Sequence, residues 1–356
     1  MKIVIRTDAS TDIGTGHVMR CLTLAEELRE HGTDVLFICR ELPGDLIGLI
    51  EAREFRVLRL ADSLDASWQQ DADRSINAIR TLNEAVSWLI VDHYGLDRRW
   101  EERLRPVVRK LMVIDDLADR PHDCDLLLDQ NLQQDMTRRY RGLVPDRCRT
   151  LSGPQHALLR REFEEARKVL RDRNGTVRRI LVFFGGSDPT AETLKTLEAL
   201  RILDRPDIIA DVVVGSSNPR KDEVRSRCAD MPSVRYHCQV SDMAGLMAAA
   251  DLSIGAGGST HWERCYLGLP SVTIVVADNQ RGPTEALAAA GAVKDLGWHE
   301  DIDAHVIADT LKTLIGDPAA LRTMSERARA VMDGASGERD RTVVETILGT
   351  GNGKTQ

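Results

Sequence analysis

A histidine set directly behind two glycines, Gly14-Thr15-Gly16-His17, opens the first helical pattern of the chain. Glycines there let the backbone come close to a ligand. The first-turn amides of a helix are unpaired donors, and its dipole favours an anion. A histidine at that end is favoured in its neutral form, which is what a general base needs. Taken alone, the fragment also fits a pair of loop glycines beside a solvated histidine.

Two loops in the second half have the form of phosphate cradles. Gly185-Gly186-Ser187-Asp188-Pro189 follows an apolar run at 180–184, and Gly255-Ala256-Gly257-Gly258-Ser259-Thr260 follows one at 252–254. Small residues between a strand and a helix N-terminus suit a diphosphate. Neither loop carries the lysine of a Walker A motif, so no NTPase is read. The first loop is also a tight turn with Ser or Asp as cap. Glu263, one turn into the helix at 261–267, can accept hydrogen bonds from ribose hydroxyls or simply complement the helix dipole. Asp92 and Tyr94, in Val91-Asp92-His93-Tyr94-Gly95, close a strand where polar residues face a ligand, or form an ordinary strand-end loop.

Other chemistries are not indicated. Asp115-Asp116 and Asp123-Cys124-Asp125 lack a third metal ligand, and no HExxH or EF-hand pattern occurs. No serine has the G-x-S-x-G setting. Met19 stands where a dinucleotide fingerprint has its third glycine. The expectation is therefore no metal and no cofactor.

These residues need elements to hold them. Strands are expected at 2–7, 35–39, 57–60, 88–92, 111–114 and 126–128, with helical patterns between most of them. In the helix over 18–30, Cys21, Leu24, Ala25 and Leu28 share one face, and Gly32 ends it. A charged stretch at 153–175, with a helix over 157–170, reads as a connector. Strands restart at 180–184, 208–214, 234–238, 252–254 and 272–276, followed by helices over 302–315 and 319–332. Strand–helix alternation twice over predicts two doubly wound, Rossmann-like α/β domains facing a ligand cleft. The expected division is 1–152 with His17, the connector 153–175, a nucleotide-binding domain 176–345 and a flexible tail 346–356.

The 356 residues and 42% apolar content fit two cores rather than one. Aromatics at 4% leave Leu, Ile, Val and Ala to fill them, as in helices packed on parallel strands. A formal net charge of −8 argues against a general nucleic-acid binder. Arg6 and Asp8 interrupt the first apolar run, so it is not a signal-peptide core. No uncharged apolar run is long enough to span a membrane. The seven cysteines form no CxxC pair and read as buried or partly buried free thiols in a reducing cytoplasm. A cytoplasmic protein is expected, monomeric or weakly homo-oligomeric, with a small-molecule substrate and neither nucleic-acid nor membrane partner.

In order, the chain carries Arg6-Thr7-Asp8, Gly14-x-Gly16-His17-x-x-Arg20-Cys21, Val91-Asp92-His93-Tyr94-Gly95, Ile114-Asp115-Asp116 and Pro121-His122-x-Cys124-Asp125. Then come Gly153-Pro154 through Ala157-Leu158-Leu159-Arg160, Gly185-Gly186-Ser187-Asp188-Pro189, Gly257-Gly258-Ser259-Thr260-x-Trp262-Glu263, Gly268-Leu269-Pro270 and Asp278-Asn279-Gln280. As an ordered set these resemble the UDP-2,4-diacetamido-2,4,6-trideoxy-β-L-altropyranose hydrolases of the pseudaminic acid pathway. The resemblance implies a GT-B-like fold, similar to the transferase that adds N-acetylglucosamine in peptidoglycan synthesis. It implies His17 as catalytic base of a metal-independent reaction, with Arg160, Glu263 and Asn279 as ligand contacts. Water would attack the anomeric C1 and release UDP with inversion. Gly14 and Gly16 would admit the substrate, and Asp92 or Tyr94 would orient sugar or water. Gly186, Ser187, Gly257, Gly258, Ser259 and Thr260 would hold the diphosphate, Glu263 the ribose, and Asn279 and Gln280 the sugar or phosphates. His156 stands where the family pattern has Tyr. A GT-B glycosyltransferase acting on a UDP-sugar donor is the alternative within the same fold.

Overall fold

Two all-parallel sheets answer the two runs of strand–helix alternation. In the computed structural model, which describes residues 1–11, 13–61, 67–133, 135–136, 138–334 and 342–350, the chain divides into two units. One is Met1–Leu158 with Asp340–Gln356, the other Leu159–Arg339.

The first unit contains strands β1 (Lys2–Thr7), β2 (Asp34–Arg40), β3 (Arg56–Leu60), β4 (Val86–Asp92), β5 (Val108–Ile114), β6 (Leu126–Asp129) and β7 (Arg149–Ser152), in the spatial order β3-β2-β1-β4-β5-β6-β7. The central strands are apolar without alternation because both their faces are covered. Ile3, Ile5, Phe37 and Ile90 pack on one side with Val18, Cys21, Leu24 and Leu28 of the helix Gly16–Glu30. Val4, Leu36, Leu89, Val91 and Trp100 pack on the other.

The second unit contains β8 (Arg179–Phe183), β9 (Ile209–Val214), β10 (Val234–Cys238), β11 (Leu252–Ala256), β12 (Ser271–Val275) and β13 (Lys294–Trp298), ordered β10-β9-β8-β11-β12-β13. Arg173 ties two of its helices together. Its guanidinium donates to the carbonyls of Met247 and Ala250 at the end of the helix Met243–Ala249, and to Leu267 after the helix Thr260–Tyr266. Carbonyls at helix C-termini are unpaired and attract a cation.

In each sheet the strand order reverses once, between β1 and β4 in the first and between β8 and β11 in the second. Thr7 pairs with Asp92 and Phe183 with Gly255, so the loops leaving these strands emerge side by side. Ligands of open α/β sheets bind at the carboxyl ends of the strands at this reversal.

The structure departs from the sequence expectations in several places. Strands β7 and β13 are not among the expected strands. Both lie at the outer edge of their sheets, and their residues are too polar to read as apolar runs. The expected helix over 157–170 is confined to Arg161–Lys168, preceded by a 3-10 turn at Pro154–His156 that buries His156. The sequence pattern places the end of the second domain at 345 and a flexible tail from 346. Instead, the helix Thr342–Leu348 belongs to the first unit: Val343, Val344 and Ile347 join its core, and Trp88 Nε1–H donates to the Ile347 carbonyl at 3.0 Å. Residues 351–356 lie outside the described residues. Of the cysteines, Cys238 is exposed rather than buried. Among the described residues, no helix is long and apolar enough to cross a membrane.

Candidate functional site

At the strand reversal of the first unit, the loop after β1 turns through Gly14, whose φ of +81° is the left-handed conformation that glycine takes without strain. Its N–H donates to the Ser10 carbonyl at 2.9 Å, and Gly16 then starts the helix. This delivers His17 to the end of β4, where Asp92 is fully buried. His17 itself is only 7% exposed, so it is not a solvated surface histidine. Its Nδ1 lies 2.6 Å from Asp92 Oδ1. The carboxylate can only accept, so Nδ1 carries the proton and the lone pair is on Nε2. Nε2 takes no hydrogen bond from a described residue. The Tyr94 ring stands edge-on to the imidazole, 4.5 Å between centroids.

Arg20, one turn along the helix, carries no role in the sequence reading, although its i, i+3 spacing from His17 places both on one face. Its Nε and Nη2 donate to the two oxygens of Asp92, each at 2.6 Å, and its Nη1 donates to Asp116 Oδ2 at 3.0 Å. Burial works against ionising Asp92, but Arg20 and His17 outweigh it and hold the carboxyl well below the usual carboxylate range. A second buried network lies on the other side of β1. Arg6 pairs with Asp8 and Asp71, and Asp8 in turn accepts from Arg40 Nε and the Arg40 amide. Gly95 N–H donates to His93 Nδ1, which leaves the His93 Nε2 proton facing Asp8 at 3.3 Å. Burial lowers the His93 pKa, so this imidazole stays neutral.

The strand reversal of the second unit is built differently. Gly215 N–H donates to the Gly186 carbonyl, and a Cβ on Gly215 would stand 2.5 Å from that oxygen, so only glycine fits there. The Asp188 carboxylate accepts from the amides of Glu192 and Thr193 at 3.0 and 2.9 Å. The first turn of the helix Glu192–Leu203 is thus already capped by its own chain. The N–H groups of Gly186 and Ser187 in this loop make no hydrogen bond among the described residues.

After β11, Gly257 N–H and Val276 N–H both donate to Gln280 Oε1 at 3.1 Å. Gly257 is therefore a loop anchor, and Gln280 retains its Nε2 for other contacts. The N–H groups of Gly258, Ser259 and Thr260 make no hydrogen bond among the described residues. Asn279 is exposed in the 3-10 turn Asp278–Gln280. Glu263 accepts from Arg160 Nε and Nη2 through Oε1, at 3.1 and 2.9 Å, while its buried Oε2 has no partner among the described residues. Burial raises the Glu263 pKa, and Arg160 pulls it back. Arg160 also pairs with Glu162 at 2.7 Å.

Two parallel-sheet α/β units of seven and six strands define the GT-B fold. A crystal structure of Acinetobacter baumannii MurG superposes with a TM-score of 0.65 over 98% of this chain and 99% of that one, at 14% identity, a likeness of fold. Residues 180–339 match the glycosyltransferase family 28 C-terminal domain. The chain is 29% identical over 294 residues to the UDP-2,4-diacetamido-2,4,6-trideoxy-beta-L-altropyranose hydrolase of Campylobacter jejuni, 82% of this chain and 97% of that protein. It is also 29% identical over 287 residues to an uncharacterised protein of Methanocaldococcus jannaschii, 79% of this chain but only 57% of the relative's length.

Proposed function

We propose that this protein hydrolyses a UDP-activated 2,4-diacetamido-2,4,6-trideoxy sugar of the L-altrose type, a step in making pseudaminic acid. The observation that carries the reading is the His17–Asp92 pair with Nε2 left open at the strand reversal of a GT-B fold. Asp92 holds the Nδ1 proton and so fixes the tautomer, the logic by which a buried carboxylate prepares a histidine base. Nε2 takes a proton from water as the water oxygen bonds to the anomeric C1. The C1–oxygen bond breaks, and its electron pair leaves with UDP. Attack from the face opposite UDP inverts C1, by the geometry of inverting glycosidases. UDP is already a stable leaving anion, so the reaction requires no strong acid and no metal.

In the same proposal the second unit holds the nucleotide. The open amides of Gly186, Ser187, Gly258, Ser259 and Thr260 receive the diphosphate. Glu263 Oε2, buried without a partner, accepts from the ribose hydroxyls. Gln280 Nε2 and Asn279 face the sugar or the phosphates. Gly14 and Gly16 admit the sugar, and Tyr94 orients it against His17. The relative from Campylobacter, matched over nearly its whole length, supports this choice of substrate. The match of 180–339 to a glycosyltransferase domain favours a second reading, in which His17 deprotonates an acceptor hydroxyl instead of water.

Incubation with the UDP-sugar in ¹⁸O-water, without acceptor and with EDTA, separates the two by mass spectrometry. Free sugar carrying ¹⁸O beside unlabelled UDP is the expected result. Intact substrate that is consumed only when a sugar acceptor is added would establish the transferase. Label in UDP would mean attack at phosphorus and would overturn the role given to His17.

A further inference from the structure

We infer that Arg20 is a positioning residue for the His17 base, acting through Asp92 and anchored by Asp116; the inference rests on the hydrolase reading. All three guanidinium nitrogens are committed: Nε and Nη2 to Asp92, Nη1 to Asp116. A planar fork that donates to both oxygens of one carboxylate fixes its orientation, so Arg20 sets the plane in which Asp92 Oδ1 meets His17 Nδ1. Asp92 Oδ1 receives both His17 and Arg20, and Oδ2 receives Arg20 and, at 3.5 Å, Cys21 Sγ–H.

The charges add to the same effect. Arg20 Nη2 stands 3.2 Å from His17 Nδ1. Guanidinium cannot accept and Nδ1 already carries a proton, so this approach is a contact of like polarity. With Arg20 on both of its oxygens, the Asp92 charge is already balanced. The groups facing the imidazole are Asp92 from β4, Arg20 and Cys21 from its own helix, Asp116 beyond Arg20, and the Tyr94 ring.

The test uses the full chain with R20M, R20K and D116N, read by kinetics and by long-range ¹⁵N–¹H NMR of the histidine ring nitrogens. In R20M, kcat is expected to fall by roughly 10-fold to 100-fold, part of the ~10²–10⁴-fold that a positioned base supplies, with KM and UDP affinity unchanged. R20K keeps the charge and loses the fork, and is expected between R20M and wild type. The NMR signature of the Nδ1–H tautomer at His17 is expected in wild type and R20K and lost in R20M. If R20M does not fold, R20K and D116N decide: kcat equal to wild type in both overturns the inference. So does an R20M protein that folds and retains wild-type kcat or the wild-type tautomer. The NMR readout needs no substrate, so wild type that binds UDP but never turns over a UDP-sugar refutes the hydrolase reading and leaves the tautomer result standing.

Discussion

The same topological position carries opposite materials in the two units. Where the strand order reverses in the first, the loops present ionic side chains: the buried His17, Arg20 and Asp92 and the partly buried Asp116. Where it reverses in the second, they present small residues with open amides beside the buried carboxylate of Asp188 and the partly buried one of Glu263. Charged side chains with lone pairs can move protons, whereas backbone amides can only bind. In the proposed reading the fold fixes where the site lies, and the residues at each edge decide between reaction and recognition.

The largest effect should come from the first edge. D92N puts an amide where His17 Nδ1 and Arg20 both require an acceptor. It allows the wrong tautomer and leaves Arg20 with Asp116 as its carboxylate partner in place of two. A fall in kcat of about 10²-fold to 10⁴-fold is expected, with UDP affinity held, as steady-state kinetics and calorimetry would show. UDP affinity falling in step with kcat would break the division between reacting and binding edges.

A pH effect of opposite sign marks the same edge. Burial lifts the Asp129 carboxyl to about 6, although Asn131 N–H and Arg139 oppose the rise. A group protonated more readily in the folded chain stabilises it fully below the unfolded value of about 3.9. That contribution is lost as pH rises through about 6. A rise of that size is worth about 3 kcal/mol at most. Glu192 and Glu263 are also raised, so the comparison of wild type with D129N isolates the contribution of Asp129. Between pH 7 and pH 5 the urea midpoint of wild type should rise by more than that of D129N. Asp8, Asp71 and Asp92 are held low, so stability should fall again below about pH 4.

E263A probes the second edge. It removes the acceptor proposed for ribose and leaves the amides. Hydrogen bonds to a charged group contribute roughly 1.5–3 kcal/mol, so UDP should bind about 10-fold or more weakly. kcat at saturating substrate should change little. Unchanged UDP affinity would remove the ribose assignment and reduce Glu263 to a partner of Arg160.

Much of this contrast is legible in the sequence, and its gaps have physical causes. His17, Asp92 and the two glycine-rich loops can be placed at strand ends because apolar runs and their polar boundaries are local signals. The pairing of Arg20 with Asp92 cannot, since it needs the end of β4 beside the first turn of a helix 72 residues earlier. Gly257 reads as a phosphate amide, yet its N–H is taken by Gln280, 23 residues on. Loop sequence does not distinguish an amide reserved for a ligand from one satisfied within the chain. Strands β7 and β13 escape because edge strands need no apolar run, and the return of the helix Thr342–Leu348 to the first unit depends on Trp88 and a core that local pattern does not show.

The smallest effect decides how the diphosphate is cradled. Asp188 fits the turn sequence as a cap and fits the phosphate reading as a neighbour; its carboxylate occupies two first-turn amides. D188N keeps one acceptor and suits the residue's φ of +42°, so it should cost about 1 kcal/mol, the usual worth of a cap, and lower the melting temperature of the unit by about 2–4 °C. UDP affinity should stay within about twofold, because the amides proposed for phosphate lie in Gly186–Ser187 and Gly258–Thr260, not in the capped turn. A clear gain in UDP affinity in D188N would mean that phosphate competes with Asp188 for those amides. The second edge would then bind with a helix N-terminus after all, by exchange of one anion for another.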